Sequence, residues 1–322
     1  MMVLNPIYKL LGNRLAPAGP DGRLSILIFH RVLAVQDPLF PHEATVDTFD
    51  AHMAHLKAVF TVLPLTEAIA RLKTGSLPAR AASITFDDGY ADNVTNALPI
   101  LQQHGLPATF FIATAYLDGG RMFNDTVIEA IRRTPHDRLD LHELGLGLHD
   151  MGSNAAKSRA IGQILPKVKP LPSDEREATV ARLCELADCG MLPEDLMMTT
   201  DQLRSLHAAG MDIGAHTARH PILANMDDAA VRQEIAEGKA FLEAVLEERI
   251  RLFAYPNGKP GKDYLPEQAA IVRELGFEAA VSTQPGVAVR VSDPFQLPRF
   301  TPWSRNANRF IPSLLSNLAA RT

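Results

Sequence analysis

Thr85-Phe86-Asp87-Asp88-Gly89 sets two adjacent carboxylates at the end of the apolar run Ala81-Ala82-Ser83-Ile84-Thr85-Phe86. Ionised aspartates closing a buried strand are costly unless something pairs with them. Paired carboxylates suit a metal ligand beside a general base. Taken alone, the same string also fits a turn in which Asp-Gly simply leaves the strand. A second string, His216-Thr217-Ala218-Arg219-His220, follows the strand-like run Met211-Asp212-Ile213-Gly214-Ala215. Two imidazoles four residues apart can turn toward one point. Zinc and similar borderline ions favour imidazole, and a carboxylate can complete the set. Asp88, His216 and His220 are therefore the candidate ligands of a two-His, one-carboxylate metal site.

These strings need elements to hold them. Leu24-Ser25-Ile26-Leu27-Ile28-Phe29 is an apolar run ending at His30. A helix is predicted over Phe49 to Val59, opened by Asp47 or Thr48 as cap. A short strand at Phe60 to Leu63 and a helix at Leu65 to Leu72 precede the Asp87-Asp88 strand. A helix through Asn96 to His104 and a strand at Ala108 to Ala113 follow it. Residues 118 to about 200 carry helical patches, Gly, Pro and charged clusters, and no convincing strand, so they read as an inserted helical region. The alternation then resumes with Asp212 to Ala215, Ala229 to Glu248, Arg251 to Tyr255, Leu265 to Leu275 and Ala279 to Ser282. Strands alternating with helices imply a parallel sheet with helices outside. About seven strands suggest a closed or nearly closed barrel, with an open doubly wound sheet as the alternative. In either, chemistry gathers at the C-terminal strand ends. His30, Asp87 with Asp88, His216 and Tyr255 all fall at such ends.

The chain of 322 residues, 46% hydrophobic and 21% charged, has the composition of a globular protein and reads as a single domain over 1–322. Its formal net charge of -5, with no basic stripe, argues against nucleic acid as a partner. Cys184 and Cys189 read as structural thiols with no disulfide. No apolar run is long enough to span a bilayer. Lys9 and Arg14 interrupt the N-terminal apolar residues, so no secretory leader is predicted, and the expected location is the cytoplasm or the inner membrane face. Val3, Leu4, Ile7, Leu11 and Leu15 could share one helical face, as could Phe310, Ile311, Leu314, Leu315 and Leu318. Both stripes are expected to pack on the body as peripheral terminal helices; a helix lying on a membrane surface is the alternative. Nothing in the sequence bears on oligomeric state.

At the level of motifs, the chain resembles the polysaccharide deacetylase family, carbohydrate esterase family 4. Thr-Phe-Asp-Asp-Gly at 85–89 is similar to its first motif, and His-Thr-Ala-Arg-His at 216–220 to its second. Phe253-Ala254-Tyr255-Pro256-Asn257-Gly258 sits where the third belongs, but Ala254 replaces the usual arginine and Asn257 the usual tyrosine after the proline. The fourth motif has no clear counterpart. Leu24 to His30 fits the family's final Leu-x-Ile-x-Leu-x-His strand, here moved to the N-terminal end. That arrangement resembles a permuted branch, the exopolysaccharide (poly-N-acetylglucosamine type) deacetylases. The resemblance implies an α/β fold, a distorted (β/α)7 barrel with a helical insertion, and metal-dependent removal of N-acetyl groups from carbohydrate. It implies Asp87 as base, His30 as acid, the backbone N–H of Asn257 as oxyanion donor, and Asp88, His216 and His220 as ligands of a divalent metal. Zinc is the default, with nickel, cobalt or iron able to use the same set.

Arg299 is a candidate for the place of the missing arginine, against the reading of a surface residue. Asp125 could line the cleft beside Asn124, or serve a helix cap. Tyr90 and Tyr255 could offer a face to a sugar ring, or simply pack. Two other functions fit parts of the pattern. An inactive carbohydrate-binding relative would account for the lost motif elements, although it would not need Asp87. A two-His, one-carboxylate iron oxygenase would use the same donors, but its His and Asp normally lie two residues apart.

Overall fold

The computed structural model describes residues 5–302 and 307–320. Seven strands form its centre: β1 Leu24–Phe29, β2 Ala81–Phe86, β3 Thr109–Ile112, β4 Asp212–Ala215, β5 Leu252–Ala254, β6 Ala279–Pro285 and β7 Leu297–Arg299. They pair in parallel in the order of the chain. The short strand Thr61–Val62 adds to β2 from outside that path. Phe300 then closes the circle. It accepts from Ile28 N–H at 3.1 Å and donates to the Ile26 carbonyl at 2.8 Å, joining the end of β7 to β1. The result is a sheet nearly closed into a barrel, with helices around it.

Strand periodicity sorts the side chains into two layers. Leu24, Ile26, Ala81, Phe111, Leu252, Ala254, Ala279, Val281 and Leu297 form one buried cluster along the inside of the barrel. Their neighbours Leu27, Phe29, Ile84, Phe86, Phe110, Ile112, Ile213, Ala215, Phe253 and Ala280 belong to the larger core beneath the helices. Phe29, Phe86 and Phe110 stack in register across three strands, with centroids 5.5 and 4.8 Å apart. All six residues of β1 and all six of β2 are buried, as expected of strands covered on both sides. Thr85, Asp87 and Arg299 share the parity of the inner cluster, so the alternation brings a carboxylate and a guanidinium to one end of the barrel axis.

Three expectations need correction. The first helix after β1 spans Val46–Val59 rather than starting at Phe49, and its cap is Thr45, whose hydroxyl accepts from Thr48 N–H at 3.4 Å. Asp47 and Thr48 lie inside the first turn, where an acidic residue still suits the helix dipole. The region 118–200 contains helices Phe123–Arg133, Asn154–Val168 and Ser173–Ala187, but also an antiparallel hairpin of Arg138–Leu141 with Gly147–Asp150. Its strands are four residues long and expose every second residue, too short a pattern to stand out. This region has a core of its own, including Val127, Ile131, Leu139, Ile161, Ile164 and Leu183. Finally, Arg299 lies within a strand, not beyond the last one.

The terminal helices differ from each other. In Ala307–Ala319, Phe310, Ile311, Leu314, Leu315 and Leu318 are all buried, as the stripe predicts. In Asn5–Leu15 the expected face is only partly met: Leu15 packs inward, but Ile7 is 51% exposed and Leu11 46%, while Gly12 is buried and Tyr8 packs inward. Gly12 sets this orientation, because a Cβ there would meet the Arg80 side chain at 2.9 Å. Val3 and Leu4 lie outside the described residues. Both cysteines are free thiols. Among the described residues no helix is long and apolar enough to cross a membrane.

Candidate active site

The two adjacent aspartates face different partners. Asp87, fully enclosed, receives both arms of the Arg299 guanidinium: Nη1 to Oδ1 at 2.7 Å and Nη2 to Oδ2 at 2.6 Å. Arg299 is itself 1% exposed, and it also donates Nε–H to the Ser282 carbonyl and Nη1–H to Thr85 Oγ1. Burial works to protonate Asp87, but the Arg299 charge and the nearby His216 outweigh it and hold the carboxyl below its ordinary range. Arg299 is thus the buried charge partner of Asp87. Ala254 lies on the inner face of β5.

Asp88 turns to the other side. Its Oδ1 is 3.4 Å from Nε2 of both His216 and His220, and it has no hydrogen-bond partner although it is buried. Ligand atoms of the three residues lie within 4.8 Å of one another. Burial again favours the neutral acid, yet the two imidazoles hold Asp88 well below the usual carboxylate range. The His216 ring is fixed by Nδ1–H donating to the Ala254 carbonyl at 2.7 Å, which leaves Nε2 free toward Asp88. A ring N–H held by a backbone carbonyl selects the tautomer a metal ligand needs. Burial lowers His216, but the carboxylates of Asp87 and Asp88 raise it overall. For His220 burial prevails and its pKa falls to about 4, so its ring is neutral at pH 7.

The backbone around these groups is strained. Asp88, Thr217, His220 and Asn257 all have positive φ, at 78°, 63°, 53° and 59°. Non-glycine residues in this region cost about 1–3 kcal/mol each and cluster at functional sites. The 216–220 loop is held by its own side chains: the Thr217 hydroxyl accepts from His220 N–H at 3.0 Å, and Glu234 accepts from the N–H groups of Ala218 and Arg219. Gly238 of helix Asp228–Leu246 lets that helix approach, since a Cβ there would sit 2.7 Å from the Thr217 carbonyl oxygen. Across the site, Thr283 clamps the 255–258 turn by donating Oγ1–H to the Asn257 carbonyl at 2.6 Å and N–H to that of Gly258 at 2.8 Å. The Asn257 N–H finds no acceptor among the described residues.

These groups open into a cleft of about 340 Å³, lined among others by His30, Asp87, Asp88, Tyr90, Asp125, His216, His220 and Asn257. His30 is exposed at its rim, and its ring makes no hydrogen bond to a described residue. Its carbonyl is anchored by Asn93 Nδ2–H at 2.8 Å. Tyr90 and Asp125 form one wall: the Tyr90 hydroxyl lies 3.1 Å from each Asp125 oxygen, and the Arg31 guanidinium covers the Tyr90 ring. Burial pushes the Asp125 carboxyl up to about 7.

Two of the candidate residues, Tyr255 and Arg299, do not line the cleft. Tyr255 is fully buried, stacks on Tyr264 at 3.7 Å and donates its hydroxyl proton to the Phe295 carbonyl. Arg299 is consumed by Asp87. Residues absent from the expectations include Asp92, which accepts from Arg31 Nε–H at 2.8 Å and Val32 N–H at 3.1 Å and so fixes the loop carrying His30. Its place four residues after Asp88, in the continuation Tyr90-Ala91-Asp92-Asn93, is the signal that could have found it.

The sequence matches the polysaccharide deacetylase family over residues 74–157 and 175–280. The Bacillus subtilis (strain 168) protein YxkH, which bears a provisional polysaccharide deacetylase name, is 20% identical over 279 residues, covering 86% of this chain and 70% of that one. The fold is similar to the Streptococcus pyogenes deacetylase PplD solved with acetate, with TM-score 0.62 and 20% identity over 93% of this chain and all of that one. It is also similar to IcaB from Ammonifex degensii, at TM-score 0.60 and 18% identity over 95% of this chain and 99% of that one. The deacetylase domain of BpsB from Bordetella bronchiseptica gives 0.55 and 18% over 88% and 97%. More than half of the chain is spanned by the family match, and the strand ends carry its motifs: the chain belongs to the polysaccharide deacetylase family and is an enzyme of deacetylation.

Proposed function

We propose that the chain hydrolyses the N-acetyl group of an amino-sugar glycan at the centre formed by Asp88, His216 and His220, with Asp87 as general base and His30 as general acid. One observation carries this reading: the Nε2 atoms of His216 and His220 converge on the orphaned, buried Oδ1 of Asp88, with a second, ion-paired carboxylate beside them. The donor set suits a divalent cation, zinc by default, with nickel, cobalt or iron able to use the same atoms. An unsatisfied buried carboxylate oxygen facing two imidazole nitrogens is the arrangement such an ion would complete. Bound there, the ion would polarise the acetamide carbonyl and acidify the attacking water.

The chain's own groups supply the rest. Asp87, kept ionised by Arg299, takes the water's proton. Its Oδ2 lies 4.0 Å from His216 Nε2, so it looks onto the same point as the ligands without joining them. The free N–H of Asn257 serves the developing oxyanion, and Gly258 and Thr283 hold that turn in place. His30, mobile only about its side chain because Asn93 and Asp92 fix its backbone, delivers a proton to the departing amine. The products are acetate and a free amino sugar.

The test pairs metal analysis of the purified protein with acetate release from N-acetylglucosamine oligomers, with and without chelator. Asp88→Asn is expected to lose both metal and activity. Asp87→Asn is expected to keep the metal while turnover falls by roughly 10² to 10⁴-fold, the range of one general acid–base group. Full turnover by Asp87→Asn, or by metal-stripped protein, would refute the assignment.

A further inference from the structure

A second lobe of about 710 Å³ opens from the catalytic cleft and shares Asn124, His220, Asn257 and Thr283 with it. Its chemistry is different. Three lysines line it: Lys169, just past helix Asn154–Val168, and Lys259 and Lys262, in the loop after β5. The lone carboxylate in its wall is Asp263, whose Oδ2 is already engaged by the Lys259 backbone N–H at 2.9 Å. None of the three ammonium groups forms a salt bridge or side-chain hydrogen bond with a described residue. Elsewhere in the cleft Asp37 pairs with Arg132, and Glu129 with Arg132 and Arg133, whereas the lysines are gathered in this lobe.

Exposed lysines are ordinarily just solvated, and Lys259 and Lys262 taken alone would be. Lys169 is the exception. It is half-buried; burial lowers its pKa, the Asp263 carboxylate offsets part of that, and the like charge of Lys262 works against protonation while Asp88 favours it, the balance being a lowered pKa. Two ammonium groups converge from separate segments on a lobe whose wall includes the candidate metal ligand His220. An anionic group seated between them would relieve that repulsion.

We propose that this lobe is an anion subsite, and that the substrate is an acetylated glycan bearing a phosphate or carboxylate next to the sugar whose acetamide is hydrolysed, not a neutral homopolymer. The inference rests on the proposed reaction at the adjoining site. Three probes separate the sources of the anion: di-N-acetylchitobiose, its 1-phosphate, and the disaccharide in which the reducing sugar is a uronic acid. At low ionic strength kcat/KM is expected to be at least tenfold higher for a charged probe than for the neutral one, chiefly through KM, and the preference should shrink as salt is added. Whichever charged probe is preferred identifies the anion. The double variant Lys169→Gln, Lys262→Gln should erase most of the preference. Equal kcat/KM for all three probes, or an equal loss on all three in the variant, would overturn the subsite.

Calorimetric binding to Asp87→Asn protein reads the lobe without turnover. If no probe releases acetate, the proposed reaction fails, while tighter binding of a charged probe still supports the subsite. Equal binding of charged and neutral probes would overturn it.

Discussion

Arg299→Met removes the counter-charge of the proposed base while roughly keeping the volume of the side chain. The two bonds to Asp87, at 2.7 and 2.6 Å, are charge-assisted and fully enclosed. Hydrogen bonds to charged groups contribute about 1.5–3 kcal/mol each, and breaking a buried ion pair by deleting one partner costs about 3–5 kcal/mol. The two figures agree. The variant can escape part of that cost by protonating Asp87. For a carboxyl of ordinary pKa 3.8, protonation at pH 7 costs about 4 kcal/mol, so the two outcomes are nearly balanced. Stability should therefore fall by roughly 3–5 kcal/mol, and a substantial share of Asp87 should be neutral at pH 7. The sign follows from the wild-type direction: a carboxyl held below its ordinary range contributes stability that is lost only on acidification. In the variant the Asp87 carboxyl is instead raised above its unfolded value, so its contribution reverses and is lost as pH rises. Urea unfolding at pH 7 gives the first quantity. The pH profile of kcat/KM gives the second, as an acid limb displaced toward neutrality. Arg299→Lys, which keeps one charge but not the two-pronged geometry, should fall between. Unchanged stability together with an unshifted acid limb would refute the argument that Arg299 sets the charge state of Asp87.

Three further outcomes are expected. Asp125 has a pKa of about 7 in the folded chain against an ordinary 3.8, so between these values the native state keeps a proton that the unfolded state has lost, and stability falls as pH rises. Asp125→Asn should thus gain on wild type from about pH 4 upward, to at most roughly 4 kcal/mol above pH 7; a gain in urea unfolding that does not vary between pH 4 and pH 8 would contradict this. Gly258→Ala places a Cβ 2.9 Å from Thr283 N and from the Tyr255 carbonyl oxygen, at a φ of 73°. It should cost about 1–3 kcal/mol by overpacking and lower kcat by displacing the Asn257 N–H; a variant within about 0.5 kcal/mol of wild type, with normal kcat, would show the turn to be slack. His30→Ala should reduce kcat by roughly 10² to 10⁴-fold with metal content unchanged, and normal turnover would return His30 to a purely structural role.

The strand ends were legible in the sequence because they combine two strong signals. Apolar runs such as Leu24–Phe29 and Ala81–Phe86 are buried along their whole length, and they stop at residues that line the cleft. The convergence of Asp88 with His216 and His220 could be read from spacing and order alone. Arg299 was harder: Leu297-Pro298-Arg299 is three residues long and contains a proline, so nothing marks it as a strand until the barrel closes around it. Tyr255 misled because a tyrosine at a strand end reads the same whether it faces a ligand or, as here, another tyrosine. The stripe on Asn5–Leu15 misled for a related reason. Periodicity shows that a face is apolar, but the small residue Gly12 decides which face the body accepts. The lysine-lined lobe draws on Lys169, Lys259 and Lys262, which belong to segments with no regular pattern, and only the fold brings them together.

Joining the two ends of the sheet through Phe300 and Ile26 has a consequence for biosynthesis. The carboxylate at position 87 and its guanidinium neighbour are separated by 212 places in the chain. A polypeptide emerging from the ribosome would display the aspartate pair and later both imidazoles well before the last strand exists. Throughout that interval the would-be base has no cationic mate, and the ring of strands is open along one seam. The enclosed ion pair at the end of the barrel axis, and the seam that closes the ring, can therefore form only once the last strand has been made.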